Sequence, residues 1–445
     1  MKSNIDSELL QVRAALNPRM MAGYLAEAMG MAGFHQACRI LNVKYEPGEY
    51  CTILYSLGKQ PLVGSLRWDG AVRDGVPETA RLIAPLGMLV YRLEHDPALP
   101  GLEVALKPEL IAGVLAEELP ELRDSTLRAL RCKPTVLRYR PGRRCTLRLD
   151  LWLRDVRSGA ITTRTLFGKA YHDLAKATAV YDEMLMLAGS APVRDGRLLV
   201  ARPVAFLRDL RIVLQGPVEG TPLDGLLEGM ARTPTASDPR GCEGVIRSAP
   251  ALAALHTAGL ATYRQRPIAD ELRRFKKRAA QAEQVEPVIG ARMGILAATL
   301  PDWLDLLPEW GEELGLVHGD CKPSQFLVGP AGVAMLDFDH CGMADPATDV
   351  GTYLATLRQL GAWQSLDRRR AAGAAARARR MRALEELFLE GYCTASARRP
   401  EFRLRAIWYE AVALLRKALR AFARNPRSAM PALLVEEAWR CLDDL

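Results

Sequence analysis

The chain has 445 residues, 49% hydrophobic and 25% charged, a globular balance that excludes a disordered chain and exceeds one ordinary core. Its nine cysteines are odd in number and lack a Cys-x-x-Cys pair, which speaks against a disulfide or zinc framework. The net charge of +8 lies wholly after residue 352, where Tyr353–Leu445 holds 18 Lys and Arg against 10 Asp and Glu.

The N-terminal residues Met1 to Glu8 show no apolar core of a secretory signal. The longest apolar stretch, around Leu82 to Tyr91, is too short to cross a bilayer. A reducing cytoplasm is the expected compartment, with Cys38, Cys51, Cys132 and Cys145 as buried or half-buried thiols.

The first half contains a duplication. Ala15-Leu-Asn-Pro-Arg-Met-Met-Ala-Gly-Tyr-Leu-Ala-Glu27 matches Ala105-Leu-Lys-Pro-Glu-Leu-Ile-Ala-Gly-Val-Leu-Ala-Glu117. Val43-Lys-Tyr-Glu-Pro-Gly-Glu-Tyr-Cys-Thr52 then matches Leu137-Arg-Tyr-Arg-Pro-Gly-Arg-Arg-Cys-Thr146 at nearly the same offset. Each copy predicts a short helix opened by proline, then a strand with a Pro-Gly turn. The returning strands are Leu62-Val-Gly-Ser-Leu66 and Leu166-Phe-Gly-Lys-Ala170, so the lysine belongs to the second copy alone.

Beyond Tyr171 a helix is expected over His172 to Leu187, then strands over Leu199 to Phe206 and Arg211 to Leu214. The Gly- and Pro-rich loop Gln215 to Pro222 marks a domain boundary. Helices are expected over Ile246 to His256 and Ile268 to Ala282, a short β region over Leu316 to Asp339, and helices thereafter. The run Arg368, Arg369, Arg370, Arg377, Arg379, Arg380 and Arg382 has no aromatic interleaving, which favours a solvated helix face over nucleic-acid binding.

The chemistry concentrates in Leu316-Val-His-Gly-Asp-Cys-Lys-Pro-Ser-Gln-Phe-Leu-Val328 and Val333-Ala-Met-Leu-Asp-Phe-Asp339. A short strand delivers His-Gly-Asp, a polar loop follows, and a second apolar segment returns Asp337. Such a loop can gather two carboxylates and an amide around one point, the set that phosphoryl transfer needs. These motifs resemble those of the aminoglycoside phosphotransferase and choline kinase superfamily, a small-molecule branch of the protein-kinase-like fold. The resemblance implies Asp320 as catalytic base, Asp337 and Gln325 as Mg²⁺ ligands, His318 as a brace and Lys322 near the transferred phosphate. Most relatives carry asparagine where Gln325 stands, although the maltokinase-like branch tolerates glutamine. Asp349 would support the catalytic loop.

Upstream, the same resemblance implies that Lys169 pairs the nucleotide phosphates and that Glu183 holds Lys169. It puts Tyr139 to Cys145 over the phosphates, with Arg143 as a contact, and makes Gln215 to Val218 the adenine-facing hinge. Residues Ala251 to His256 resemble the first core helix of the larger lobe.

The expected architecture is therefore α+β, a two-lobed protein-kinase-like fold with a mainly helical C-lobe. Residues 1–105 would form a degenerate repeat of the small lobe, 106–215 the small lobe and 216–445 the large one. The expected activity is transfer of the ATP γ-phosphoryl group, with Mg²⁺, to a hydroxyl of a small molecule such as a sugar. No nucleic acid or membrane partner is expected, and the N-terminal unit offers a surface for self-association. A nucleotide-binding pseudokinase and a kinase acting on protein are the alternatives.

Overall fold

The computed structural model of the chain describes residues 10–31, 37–46, 48–68, 78–123, 126–232, 239–307, 314–363 and 373–445. They form two compact units, one reaching to Tyr181 and including Pro203–Pro217, the other made of Asp182–Arg202 and Val218–Leu445.

In the first unit, α1 (Pro18–Ala28) opens on a proline whose missing N–H costs nothing at a helix start. Asn17 caps it, accepting the N–H groups of Arg19 and Met20 at 3.1 and 3.3 Å. Strands β1 (Cys38–Glu46), β2 (Tyr50–Leu57), β3 (Gln60–Arg67), β4 (Arg81–Ile83) and β5 (Met88–Arg92) form an antiparallel sheet in the order β1-β2-β3-β5-β4. Alternate residues of β2, Cys51, Ile53, Tyr55 and Leu57, are buried with Met21 and Leu25 of α1.

A second sheet follows α2 (Pro108–Glu118). Its strands are β6 (Leu127–Arg140), β7 (Arg144–Asp155), β8 (Ile161–Tyr171), β10 (Pro203–Leu207) and β11 (Ile212–Gln215), in the order β10-β11-β8-β7-β6. Cys145, Leu147, Leu149, Leu151 and Leu153 alternate inward along β7 and pack with Ile111 and Leu115 of α2.

The two sheets share a register. Tyr45 faces Cys51 as Tyr139 faces Cys145, and Thr52 faces Ser65 as Thr146 faces Lys169. On the other side Ser65 faces Leu89 and Lys169 faces Val213. Ser65 thus holds the sheet position that Lys169 holds in the second copy.

The helix expected from His172 is α3 (Leu174–Ala188), because the Asp173 side chain accepts the Ala175 amide at 2.8 Å and acts as its cap. The single strand expected over Leu199 to Phe206 is two. Leu199–Val200, β9, pairs in parallel with β15 (Gly332–Met335), whereas β10 pairs with β11. Pro203 carries no N–H for a ladder, and the apolar run does not reveal the change of sheet.

In the second unit β9 joins β12 (Thr221–Pro222), β14 (Phe326–Gly329) and β15 in one sheet, and β13 (Gly315–Val317) pairs with β16 (Gly342–Ala344). The rest is helical: α4 (Leu223–Arg232), α5 (Pro239–His256), α6 (Ile268–Val285), α7 (Pro287–Leu306), α8 (Ala347–Trp363), α9 (Ala374–Ser396), α10 (Phe402–Arg424) and α11 (Met430–Asp443). The α+β expectation, with a mainly helical C-terminal part, holds. Helix α5 starts well before the expected Ile246 and continues through Pro250. Its first turns, Arg-Gly-Cys-Glu-Gly, lack the apolar stripe that marks a helix.

The basic run is not a uniformly solvated face. Arg377 of α9 is buried, and Arg380 donates to the Met230 carbonyl at 3.4 Å, while Arg379 is exposed. Arg368, Arg369 and Arg370 lie outside the described residues. All nine cysteines are free thiols; Cys51, Cys132 and Cys145 are buried and Cys38 is half-buried, as expected. Among the described residues no helix is long and apolar enough to cross a membrane.

Candidate active site

Strand β13 ends at Val317, His318 follows, and the chain turns at Gly319 with φ of +75°. A Cβ there would lie 2.1 Å from the His340 carbonyl oxygen, so both backbone angle and space require glycine. Asp349, fully buried in the first turn of α8, accepts the backbone N–H groups of His318 and Gly319 at 2.5 and 2.9 Å. His256 of α5 meets the same carboxylate through Nε2 at 3.2 Å, and its Nδ1 lies 2.7 Å from the Tyr392 hydroxyl. Burial opposes ionisation of Asp349, but His256, His318 and the Gly319 amide outweigh it and hold its carboxyl below the ordinary range.

His318 is satisfied on both ring nitrogens. Nε2 donates to the Leu336 carbonyl at 2.7 Å, and Nδ1 accepts the Asp320 amide at 3.3 Å. These two contacts tie the loop to the segment leading into Asp337.

Asp320 is half-buried. Lys322 Nζ lies 2.6 Å from its Oδ2, and Gln325 Nε2 donates to the same oxygen at 3.3 Å. Burial pushes the Asp320 carboxyl up, but Lys322, with help from His318 and His340, brings it below its usual value. An ionised carboxylate only accepts hydrogen bonds, so Gln325 must turn its amide nitrogen toward Asp320 and leave Oε1 as an oxygen donor. The Gln325 carbonyl accepts the Leu336 amide at 2.8 Å, which keeps Gln325 close in the ladder to Asp337. Asp337 itself sits in the left-handed region at φ 65°, ψ 56°, a conformation costly for a side-chain-bearing residue and characteristic of functional sites.

Two arginines that the sequence does not single out hold the neighbouring backbone. Arg264 donates to the carbonyls of Asp339 and Cys341, both at 3.0 Å, and Arg266 donates to that of His340. Glu183 lies 3.4 Å from Arg264 and accepts the Thr262 hydroxyl at 3.3 Å, so its partners within its own unit come from the segment before α6. The only sequence signal for this clamp is the basic, proline-ended stretch Arg264-Gln-Arg-Pro267. Cys321 and Cys341 are buried, and burial pushes both thiols well up, so neither is a nucleophile.

In the first unit, Lys169 is half-buried on β8 between Thr146 and Val213. The turn joining β6 and β7 is held from outside its own hairpin. Asp96, which nothing in the sequence singles out, is buried and accepts the Tyr139 hydroxyl at 2.6 Å and the Gly142 amide at 2.7 Å. Tyr139 also packs against Leu54, Val63 and Tyr91 of the first sheet. Arg143 closes the turn, its N–H donating to the Arg140 carbonyl at 3.0 Å. Lys44 of the first copy is depressed by burial and then by the charge of Arg143. Gln215 ends β11 in this unit, and Val218 begins the second unit's longer segment.

Mg²⁺ takes few protein ligands, prefers oxygen, and keeps its remaining positions for water and phosphate. Gln325 Oε1 and the Asp337 carboxylate are such a donor pair, so the residues present fit that ion.

Residues 169–387 match the family described as phosphotransferase enzyme family. Solved structures similar to this chain include choline kinase LicA from Streptococcus pneumoniae, 12% identical with a TM-score of 0.44, covering 76% of this chain and 99% of that one. A choline kinase from Cryptosporidium parvum Iowa II is 10% identical with a TM-score of 0.48, covering 76% of this chain and 96% of that one. The ADP-bound aminoglycoside phosphotransferase APH(2'')-Ib is 9% identical with a TM-score of 0.42, covering 70% and 92%. No curated protein matches the chain.

Proposed function

We propose, from the match of residues 169–387 to the phosphotransferase enzyme family, that the chain transfers the γ-phosphoryl group of ATP to a hydroxyl of a small molecule, a sugar or related metabolite. The observation that carries this reading is the loop from His318 to Gln325. Asp349 fixes its backbone from below, and Asp320 is left half-buried at its turn with Lys322 and Gln325 on the same oxygen.

In this reading Asp320 orients the attacking hydroxyl and receives its proton. A carboxylate held below its usual range is a weak base, which suits a loose transition state in which the proton leaves late. Lys322 offers positive charge beside the transferred group. Gln325 Oε1 and Asp337 would hold Mg²⁺, which when bound neutralises charge on the phosphates. Lys169 and Arg143 would hold the nucleotide phosphates, and Gln215 and Val218 would face the adenine.

The test is an ADP-release screen with Mg²⁺ across sugars, amino alcohols, aminoglycosides and nucleosides, run on the natural chain and on Asp320→Asn. The variant should lose turnover while keeping Mg·ATP affinity, because the base acts on the acceptor. Equal loss of nucleotide affinity and turnover would make Asp320 a metal ligand instead.

A further inference from the structure

Helix α10 carries three cations in one turn, Arg416, Lys417 and Arg420, within an otherwise apolar stretch from Ala411 to Phe422. Their partners differ. Arg416 is neutralised by Glu271 of α6 in a two-point pair, with NH2 to Oε2 at 3.0 Å. Among the described residues, Lys417, half-buried, donates to neutral oxygens alone, Thr356 Oγ1 and Gln359 Oε1 of α8, both at 2.9 Å. Arg420 is exposed and makes no hydrogen bond or ion pair among the described residues.

Lys417 and Arg420 both lie within the electrostatic reach of Asp320. That carboxylate is already matched by Lys322. Asp320 and Glu271 are therefore matched by Lys322 and Arg416, and among the described residues Lys417 and Arg420 are left without an acidic hydrogen-bond partner on the face of α10 that senses Asp320. A half-buried ammonium held by neutral groups alone is costly to keep charged, and an anion arriving beside it would remove that cost.

We propose that the acceptor carries a carboxylate or phosphate group in addition to the hydroxyl that is phosphorylated, and that Lys417 and Arg420 receive this anionic group. The proposal rests on the phosphoryl-transfer reading above. The acceptor oxygen bonds to the γ-phosphorus, the bond from that phosphorus to the β,γ-bridging oxygen breaks, ADP leaves, and the hydroxyl proton passes to Asp320 and then to water. The anionic group stays apart from Asp320, whose own charge repels it, so the acceptor holds its two groups at separate ends. A polycation would meet like charge at Lys417 and Arg420 and is disfavoured.

The test uses the full chain with saturating Mg·ADP and calorimetric titration of two matched sets. One is glycerol, glycerol 3-phosphate and glycerate; the other is glucose, glucose 6-phosphate, glucuronate and glucosamine. In at least one set an anionic member should bind about tenfold or more tighter than its neutral parent, and the better anion separates phosphate from carboxylate recognition. Lys417→Met keeps the packed stem, and Arg420→Gln alters an exposed residue, so both should fold. Each should weaken the anion by about tenfold and leave ADP affinity within about twofold.

Tightest binding by the neutral or amine member, no binding by any anion, or a loss that falls on ADP rather than on the anion overturns the proposal. Turnover of a neutral acceptor with no anion preference would leave phosphoryl transfer standing and remove only the anion site. Failure to bind ADP would instead count against phosphoryl transfer, and titration of the same anions without nucleotide would then decide the anion site by itself.

Discussion

Asp96 and Gly142 are 46 residues apart in the chain, yet the Asp96 carboxylate accepts the Gly142 amide at 2.7 Å. The Tyr139 hydroxyl shares the same oxygen at 2.6 Å. The amide is thereby committed to the protein, so this turn does not present it to phosphate as a multi-glycine loop would. Asp96→Ala should cost about 2 to 4 kcal/mol, since three bonds to a buried carboxyl group are lost, that of the Ala98 amide at 3.0 Å included, and the Tyr139 hydroxyl loses that partner. Urea unfolding of Asp96→Ala, Tyr139→Phe and the double variant would measure it. Strict additivity of the two single effects would show that the groups do not act as one unit.

Ser65 and Lys169 share a sheet position and differ in charge, so their substitutions should differ in effect. Lys169→Ala should remove most of the activity and Ser65→Ala almost none, because a hydroxyl cannot supply the positive charge that the phosphates require. The chain should bind one nucleotide. Calorimetry giving two nucleotide sites, or a Ser65→Ala enzyme as impaired as Lys169→Ala, would show that the first copy works as a site.

Gln325 gives a prediction about metal dependence. Gln325→Asn retains an amide oxygen and should keep measurable activity with a shifted Mg²⁺ requirement. Gln325→Leu removes both the oxygen donor and the hydrogen bond to Asp320, and should abolish the activity. A Leu variant with an unaltered Mg²⁺ titration would rule out metal binding by this residue.

Asp349 links the loop to acid stability. Its folded-state carboxyl lies below the ordinary value, so its contribution is fully present above pH of about 4 and is lost as pH falls through the folded value. Asp349→Asn should be less stable at pH 7, and the gap to the natural chain should shrink as the medium is acidified. A gap that stays constant from pH 7 to pH 3 would mean the carboxylate charge contributes nothing.

Lys417 should make acceptor affinity depend on pH near neutrality. Burial, then Lys322 and Arg416, and also Arg420, push its ammonium down to about 7, with Asp320 acting in the opposite direction. Thr356 and Gln359 of α8 face it without charge, and Glu271 of α6 is committed to Arg416. The ammonium is charged below about pH 7 and neutral above it, so anion affinity should fall between pH 6 and pH 8. In Lys417→Met that slope should vanish, and persistence of the same slope would place the titrating group elsewhere.

The elements legible in the sequence were those whose parts lie close together. His318, Asp320, Gln325 and Asp337 occupy one short stretch, and the duplicated helix and hairpin repeat within the first 146 residues. What escaped depends on distant segments. Asp96 looks like any turn aspartate until the fold brings Gly142 to it, and Arg264 acts on carbonyls 75 and 77 residues later. Lys417 left one trace, a pair of cations interrupting the apolar run of α10. Pro203 was visible, but nothing local tells a strand that it must change sheets.

The bonds converging on Asp349 also bear on the order in which the protein assembles. Its carboxylate joins the loop to His256, 93 residues before Asp349, and His256 in turn reaches Tyr392, 136 residues after His256. The loop's backbone cannot take its final path until α5, α8 and α9 have docked, and each docking closes a long stretch of chain. During refolding, helical signal should therefore return early and phosphoryl-transfer competence last, with the interval between them set by packing of the C-terminal helices.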